Sequence, residues 1–347
     1  MLYLIWLPLL GIRSFLAGYF GYDTLLITIV LNIFLIVDFV FLLVKDKFSV
    51  RKIALFFVVG GVVVLFNKAA LGLLDIIMAV YLLRDMRIEK LIKIMAFISF
   101  LLLCLFLLLF YLNVNENVIV AMPKGEAYSL GFRNTNTASA FFMTHLMVIS
   151  LLLYNSNRAA SFLLVPLFYL VYILTLGRTS FYAEMVFYLS MFLLSFSIFK
   201  KFKFLYRVLP LLLFILLFSL TYFSNYYPEI DLIFTTRFSI YNKILELMTP
   251  LNYLVGIAIP EGQPMDSSFF ALLFDGGIIY PVIFLLLYEQ YYRRNIRYDD
   301  FHYMPFVLCM LATGFAENTF SSFGFLSIIL YKIFYNSGLG GNDRQRI

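Results

Sequence analysis

The fold class predicted for this chain is an all-α integral membrane protein, a polytopic bundle of about 12 transmembrane helices. Its 347 residues are 63% apolar and 13% charged, whereas soluble domains are roughly 45–50% apolar and about 25% charged. Several apolar segments approach the length of about 20 residues that a helix needs to cross a bilayer. The cysteines, Cys104 and Cys309, both fall in predicted spans, which argues against a disulfide framework.

Apolar runs separated by polar turns define the predicted spans. In chain order they cover residues 2–20, 24–44, 53–66, 69–83, 91–112, 134–154, 159–176, 180–199, 205–223, 266–288, 303–316 and 320–335. Residues 53–83 and 303–335 can each also be read as one long tilted helix. Basic clusters flank 53–83 on both sides, and the positive-inside rule places both of them in the cytoplasm. An even number of spans must therefore separate the clusters, which favours two short spans. The turn between the two short spans is then predicted at Asn67 and Lys68.

Positive charge gives this bundle an orientation. The clusters at 45–52, 84–93, 200–207 and 293–297 all fall on one side, which the positive-inside rule makes cytoplasmic, with both termini inside. The remaining positive side chains lie on the outer side or in the outer half of a span: Arg13, Lys68, Lys124, Arg133, Arg178, Arg237 and Lys243. Charge at these positions is costly unless it is paired or functional.

Residues 1–347 are predicted to form a single membrane domain with two large outer loops, 113–133 and 224–265. The longer loop lies between spans 9 and 10 and contains "TTRFSIYNKILELM" (235–248). Its apolar residues recur at helical spacing, which predicts an amphipathic helix at the outer membrane interface, begun by a threonine cap and ended before Pro250.

The outward arginines suggest a ligand that carries phosphate. A guanidinium group binds phosphate oxygens with two parallel hydrogen bonds and stays charged at physiological pH. The alternative for each arginine alone is contact with ordinary lipid headgroups, or an ion pair with Glu184, Glu229 or Asp231. His145, near the middle of a span, is expected to be a packed, hydrogen-bonded histidine.

Four stretches resemble the bacterial O-antigen and capsule repeat-unit polymerases (Wzy-type), which are related to the O-antigen ligases. They are "GFRNTNTASAF" (131–141), "LGRTSFYA" (176–183), "TRFSIYNKILELM" (236–248) and "MDSSFFALLFDGGIIYPVIF" (265–284). Tyr241 stands where the family commonly has tryptophan, Ser267 replaces its asparagine, and Asp275 replaces its glutamate.

The resemblance implies an integral-membrane glycosyltransferase of the class C type in the bacterial cytoplasmic membrane, acting at its outer face. The donor and acceptor would be oligosaccharide repeat units linked to undecaprenyl diphosphate, and a chain-length regulator and a flippase are possible partners. Arg133, Arg178 and Arg237 would hold the diphosphate leaving group, with Lys243 and Arg13 as further candidates. We expect no metal or other cofactor and no nucleic acid.

Two carboxylates are candidates for the base that activates the acceptor hydroxyl. Asp266 matches the family's Asp/His position and ranks first, and Glu317 in "GFAENTF" is the second candidate. An aspartate at a helix start is equally well explained as an N-cap, and a loop glutamate as a solvated acid.

Two other functions stay open. A ligase of the same superfamily would move finished glycan to another acceptor, but ligases typically carry a histidine near the position of Asp266. A flippase for lipid-linked oligosaccharides also has about twelve spans, but such transporters tend to show internal repeats and short loops on both sides.

Overall fold

The computed structural model describes residues 3–21, 24–45, 61, 63–67, 70–122, 125–196, 201–233, 237–259, 266–298 and 300–338. Of the predicted span 53–66, only residues 61 and 63–66 lie inside these ranges. Lys68, Lys124 and the threonine cap predicted for the amphipathic helix also lie outside them.

The N-terminal half is built from long apolar helices and one hairpin. The helices are α1 (Tyr3–Phe15, continued by a π-helical turn over Leu16–Phe20), α2 (Leu25–Lys45), α3 (Leu71–Leu82), α4 (Ile88–Tyr111) and α5 (Thr135–Ser156). Strands β1 (Ile119–Met122) and β2 (Gly125–Tyr128) pair antiparallel within the predicted loop 113–133. α5 packs along α4.

The rest of the chain contains helices that range from 4 to 22 residues. They are α6 (Arg158–Ser161), a 3-10 turn (Phe162–Leu164), α7 (Val165–Thr175), α8 (Arg178–Leu193), α9 (Lys203–Ser224), α10 (Pro228–Ile233), α11 (Arg237–Leu247), α12 (Pro250–Val255), α13 (Ser268–Gly276), α14 (Ile279–Tyr298), α15 (Met304–Ala316) and α16 (Phe325–Gly338). α8 packs along α15, and α14 along α16.

The all-α prediction is confirmed. Within the described residues, five helical segments are long and apolar enough to cross a membrane: Tyr3–Phe20, Ile88–Tyr111, Thr135–Ser156, Arg158–Thr175 and Lys203–Ser224. Large apolar side chains are exposed along α2, α4, α7 and α9, as expected for faces that contact lipid rather than water. The count of about twelve spans and the orientation of the bundle stay predictions.

The continuous span predicted over 266–288 is wrong. The helix is interrupted between α13 and α14 at Gly277, whose φ is 57°. A Cβ at Gly277 would lie 2.2 Å from the backbone of Leu254, so the break also permits a close backbone contact. Asn67 donates hydrogen bonds to the carbonyl oxygens of Phe274 (2.9 Å) and Asp275 (3.0 Å) and so satisfies the end of α13.

The amphipathic helix forms, but its apolar face contacts protein. Phe238, Tyr241 and Ile244 of α11 are each at most 2% exposed, and the Tyr241 ring lies 4.4 Å from the ring of Phe270 in α13. The prediction that this face lies on the membrane is therefore wrong. Periodicity shows that a face is apolar, and the packing partner is set by the tertiary fold.

Two ends of the bundle can be distinguished. α9 begins near Arg207, which pairs with Glu289 of α14 at 2.7 Å. It ends near Thr221, whose carbonyl oxygen accepts a hydrogen bond from Asn242 of α11. The helix carrying Arg237 therefore lies at the opposite end of α9 from the predicted cytoplasmic arginine.

Candidate functional site

A cavity of about 710 Å³ lies where the first turns of α5 and α8 meet the loop between α15 and α16. Three of the predicted site residues line it: Arg178, Arg237 and Glu317. These residues are far apart in sequence. The sequence indicated each of them as a separate candidate, and the fold brings the three together.

The lining combines charged, neutral polar and apolar residues. Neutral polar residues from α5, α8 and the α15–α16 loop surround the three charges: Asn136, Ser139, Thr179, Ser180, Asn318, Thr319 and Ser322. Apolar residues also line the cavity, among them Met143, Val186 and Leu326. Eight residues separate Arg178 from Val186, which corresponds to about 12 Å along an α-helix. The cavity is thus suited to a ligand with a charged group and an apolar part.

Arg178 is the first residue of α8 and is exposed. Among the described residues, no carboxylate forms an ion pair with it. The helix N-terminus adds positive potential to that of the guanidinium group, a combination that favours an anion. An unpaired arginine at a cavity is consistent with a binding role.

The loop before Arg178 is tightly packed. A Cβ at Gly177 would lie 1.9 Å from the Oγ of Ser139, so only glycine fits this approach to α5. Ser139 in turn donates a hydrogen bond to the Oγ of Ser180 at 2.7 Å. The glycine that precedes the arginine therefore lets α5 fix the start of α8.

Arg237 is held differently, by three oxygen groups. Its Nε lies 2.8 Å from Asp266 Oδ2, and its Nη2 lies 3.8 Å from Glu317 Oε1. Its Nη1 donates to the carbonyl oxygen of Ala316 at 2.7 Å. The side chain is 20% exposed, so Arg237 ties α11 to the start of α13 and the end of α15.

Two serines fix this arrangement: Ser268, which sequence reasoning did not identify, and Ser267, which it noted only as a replacement for the family's asparagine. The Oγ of Ser268 donates to the Glu317 carbonyl oxygen (2.9 Å) and accepts from the backbone N–H groups of Thr319 (2.7 Å) and Phe320 (3.1 Å). Ser267 donates from its Oγ to the Gly314 carbonyl oxygen at 3.1 Å. The available signal was the Ser-Ser pair directly after Asp266 at a helix start.

The N-cap explanation of Asp266 is not what the structure shows. Ser267 holds the N-cap position of α13, and Asp266 precedes it and pairs with Arg237. The backbone N–H of Ser267 donates to the Tyr241 hydroxyl at 3.1 Å. Burial raises the pKa of Tyr241 to about 12, and the nearby Asp266 carboxylate acts in the same direction. Tyr241 therefore stays protonated and joins α11 to α13 a second time.

Glu317 follows α15 and lies in the loop that borders the cavity. Burial raises its pKa to about 7, with Arg237 lowering the pKa, Asp266 raising it and a hydrogen bond from Thr179 lowering it. A carboxyl group with this pKa exchanges protons near neutral pH. The Glu317 side chain is 33% exposed and lies 3.8 Å from Arg237 Nη2, so it is neither fully solvated nor without a charged neighbour.

The other predicted phosphate ligands lie outside the cavity lining. Arg133 is exposed, and its backbone N–H donates to the Gly18 carbonyl oxygen at 3.1 Å. Arg13 donates to the carbonyl oxygen of Phe323 in the α15–α16 loop at 2.9 Å. Lys243 is exposed on α11.

Other ionisable residues sit deeper in the bundle. His145 is 2% exposed, with its Nδ1 2.9 Å from Ser99 Oγ and its ring 4.4 Å from that of Phe141, as expected for a packed histidine. Glu184 is 4% exposed on α8. Asp231, a predicted partner for an arginine, instead accepts hydrogen bonds from the backbone N–H groups of Phe238 (2.9 Å) and Ser239 (3.2 Å).

No three His, Cys, Asp or Glu side chains in the described ranges lie close enough together to hold a metal ion. The chain was also compared with protein families, curated proteins and solved structures. No family model matches it, and neither the curated proteins nor the solved structures contain a significant match.

Proposed function

We propose that the chain is a membrane glycosyltransferase that joins oligosaccharide repeat units carried on undecaprenyl diphosphate into a surface polysaccharide. The single observation that carries this proposal is the cavity that Arg178, Arg237 and Glu317 share. It offers a cationic group for diphosphate, a carboxylate for an acceptor hydroxyl and an apolar region for the first part of a lipid carrier.

The proposed reaction occurs at the outer face of a bacterial cytoplasmic membrane. The chain would cross this membrane about twelve times, with both termini in the cytoplasm. The polar lining faces the sugars, and the apolar part of the lining contacts the carrier. Arg178 stabilises the negative charge that develops as the diphosphate leaves, because it is unpaired and begins a helix. Arg237 supplies further positive potential while it holds the two carboxylates in place.

The test is synthesis of polymer by the purified full chain. A synthetic undecaprenyl-diphosphate oligosaccharide is supplied with EDTA present, and the products are separated on a gel. A ladder of increasing length supports the proposal. Translocation of the same lipid between the leaflets of vesicles, without a ladder, would identify a flippase instead.

A second acceptor separates polymerase from ligase. Lipid A-core is added to a parallel reaction with the same donor. Transfer to lipid A-core without self-polymerisation would show a ligase-type enzyme and overturn the polymerase proposal.

A further inference from the structure

Two carboxylates flank Arg237, and they differ in what else they face. Glu317 lines the cavity, whereas Asp266 is not among the lining residues. Asp266 lies 2.8 Å from the Nε of Arg237, and the nearest Glu317 oxygen lies 3.8 Å from Nη2. Asp266 is therefore engaged in a close ion pair, whereas the Glu317 carboxyl lies farther from Arg237 and forms a hydrogen bond with Thr179, another residue of the cavity lining.

We propose that Glu317, rather than Asp266, takes the proton from the acceptor hydroxyl. The inference rests on the proposed glycosyl transfer. The hydroxyl proton moves to a Glu317 carboxylate oxygen as the hydroxyl oxygen forms a bond to the anomeric carbon of the donor. The bond from that carbon to the diphosphate oxygen breaks, and its electron pair leaves with the lipid diphosphate beside Arg178.

The backbone holds Glu317 in one place. Its N–H donates to the Thr313 carbonyl oxygen at 2.7 Å and ends α15. Its carbonyl oxygen accepts from the Ser268 N–H at 3.2 Å and from the Ser268 Oγ at 2.9 Å. A base fixed in this way needs little reorganisation when it meets a bound hydroxyl.

Asp266 is then a positioning residue. It neutralises part of the charge on Arg237, which would otherwise pair more strongly with Glu317. The charged groups acting on Glu317 are Arg237 from α11 and Asp266 from the start of α13, while Arg178 lines the same cavity from α8. Removal of the Asp266 charge should lower the pKa of Glu317, because Asp266 is one of the causes that raise it.

This difference gives a direct test with Glu317→Gln and Asp266→Asn. Polymer synthesis is measured from about pH 5 to about pH 9, alongside binding of radiolabelled undecaprenyl diphosphate and thermal unfolding in detergent. Glu317→Gln should lose about 10²- to 10⁴-fold in turnover while it still binds the lipid diphosphate. Glu317→Asp should recover part of the turnover.

Asp266→Asn should remain active, with the acidic limb of its pH profile displaced to lower pH. A base acts when deprotonated, so a lowered pKa for Glu317 extends activity into more acidic solution. Loss of turnover in Asp266→Asn at every pH, with Glu317→Gln still active and both variants folded, would assign the base to Asp266 and overturn the inference. Absence of polymer from the wild-type chain at every pH would instead overturn the proposed function, and this inference with it.

Discussion

Arg178 is the first residue of α8 and Arg237 is the first described residue of α11, yet their surroundings differ. Arg178 is exposed and has no ion pair among the described residues, whereas Arg237 is mostly buried against Asp266, Glu317 and the Ala316 carbonyl oxygen. Both lie at the positive end of a helix dipole, which opposes an arginine there. The comparison shows that one cation is available to a ligand and the other is largely used by the protein.

The largest effect expected from this comparison is on turnover in Arg178→Ala. We expect about a 10²- to 10³-fold loss, the cost typical of removing a group that stabilises charge developing in a transition state. Thermal stability should change little, since no described partner is left unpaired. Polymer formation and thermal unfolding of the same sample give both quantities.

Arg133→Ala is the matched control, because Arg133 is also an exposed arginine but lies outside the cavity lining. Similar losses in both variants would mean that general positive charge, and not the cavity, supports the reaction. That outcome would contradict the proposed role of Arg178 in stabilising the leaving diphosphate.

Arg237→Ala should lower stability as well as turnover. Removing this side chain leaves Asp266 and Glu317 close together without their cation, at a cost of about 1–3 kcal/mol, reduced by their partial exposure. The stability is measured by chemical or thermal unfolding in detergent. In a double-mutant cycle, Arg237→Ala with Asp266→Asn should cost less than the sum of the single changes.

Additive costs in that cycle would show that the ion pair contributes nothing to stability. They would also weaken the distinction drawn between the two arginines.

A smaller effect is expected from Ser268→Ala, which acts on the loop rather than on a charge. The Phe320 N–H group loses its acceptor, the Thr319 N–H group keeps only the Glu317 carbonyl oxygen at 3.0 Å, and that oxygen loses one donor. We expect a loss of about 1–3 kcal/mol in stability and a fall in turnover with little change in binding of undecaprenyl diphosphate. Ser156→Ala, an exposed serine at the other end of α5, is the control for a lost hydroxyl.

Much of the candidate site could be predicted from sequence because ionisable side chains are conspicuous in an apolar chain. Arg178, Arg237 and Glu317 were identified in this way, and the structure joins them in one cavity. The sequence could not show which arginine is available to a ligand, because an arginine gives the same signal whether or not it forms an ion pair with a carboxylate after folding. Ser268 was missed for a related reason, since a serine at a helix start is usually explained as a cap.

The same limit explains the two errors in the fold. At the helix break, Gly277 lies close to the backbone of Leu254, and a sequence does not show which residues from another helix will come close after folding. The apolar face of α11 was assigned to lipid because periodicity carries no information about its partner. Each error concerns a tertiary contact, either of a helix face or of a glycine. The helices themselves can be predicted from the length of the apolar segments.

The smallest effect is predicted for Lys243→Ala. This variant tests whether a positive charge elsewhere on α11 affects turnover. Lys243 shares a helix with Arg237 but is exposed and lies outside the cavity lining. At a distance from the ligand, an exposed charge is screened within about 10 Å at ~0.1 M salt, so turnover should stay within about twofold of wild type. Assays at low and high salt check this, since Lys243→Glu should slow the reaction slightly at low salt only. A loss comparable with that of Arg178→Ala at both salt concentrations would place the ligand against the exposed face of α11, and the cavity would then no longer define the binding site.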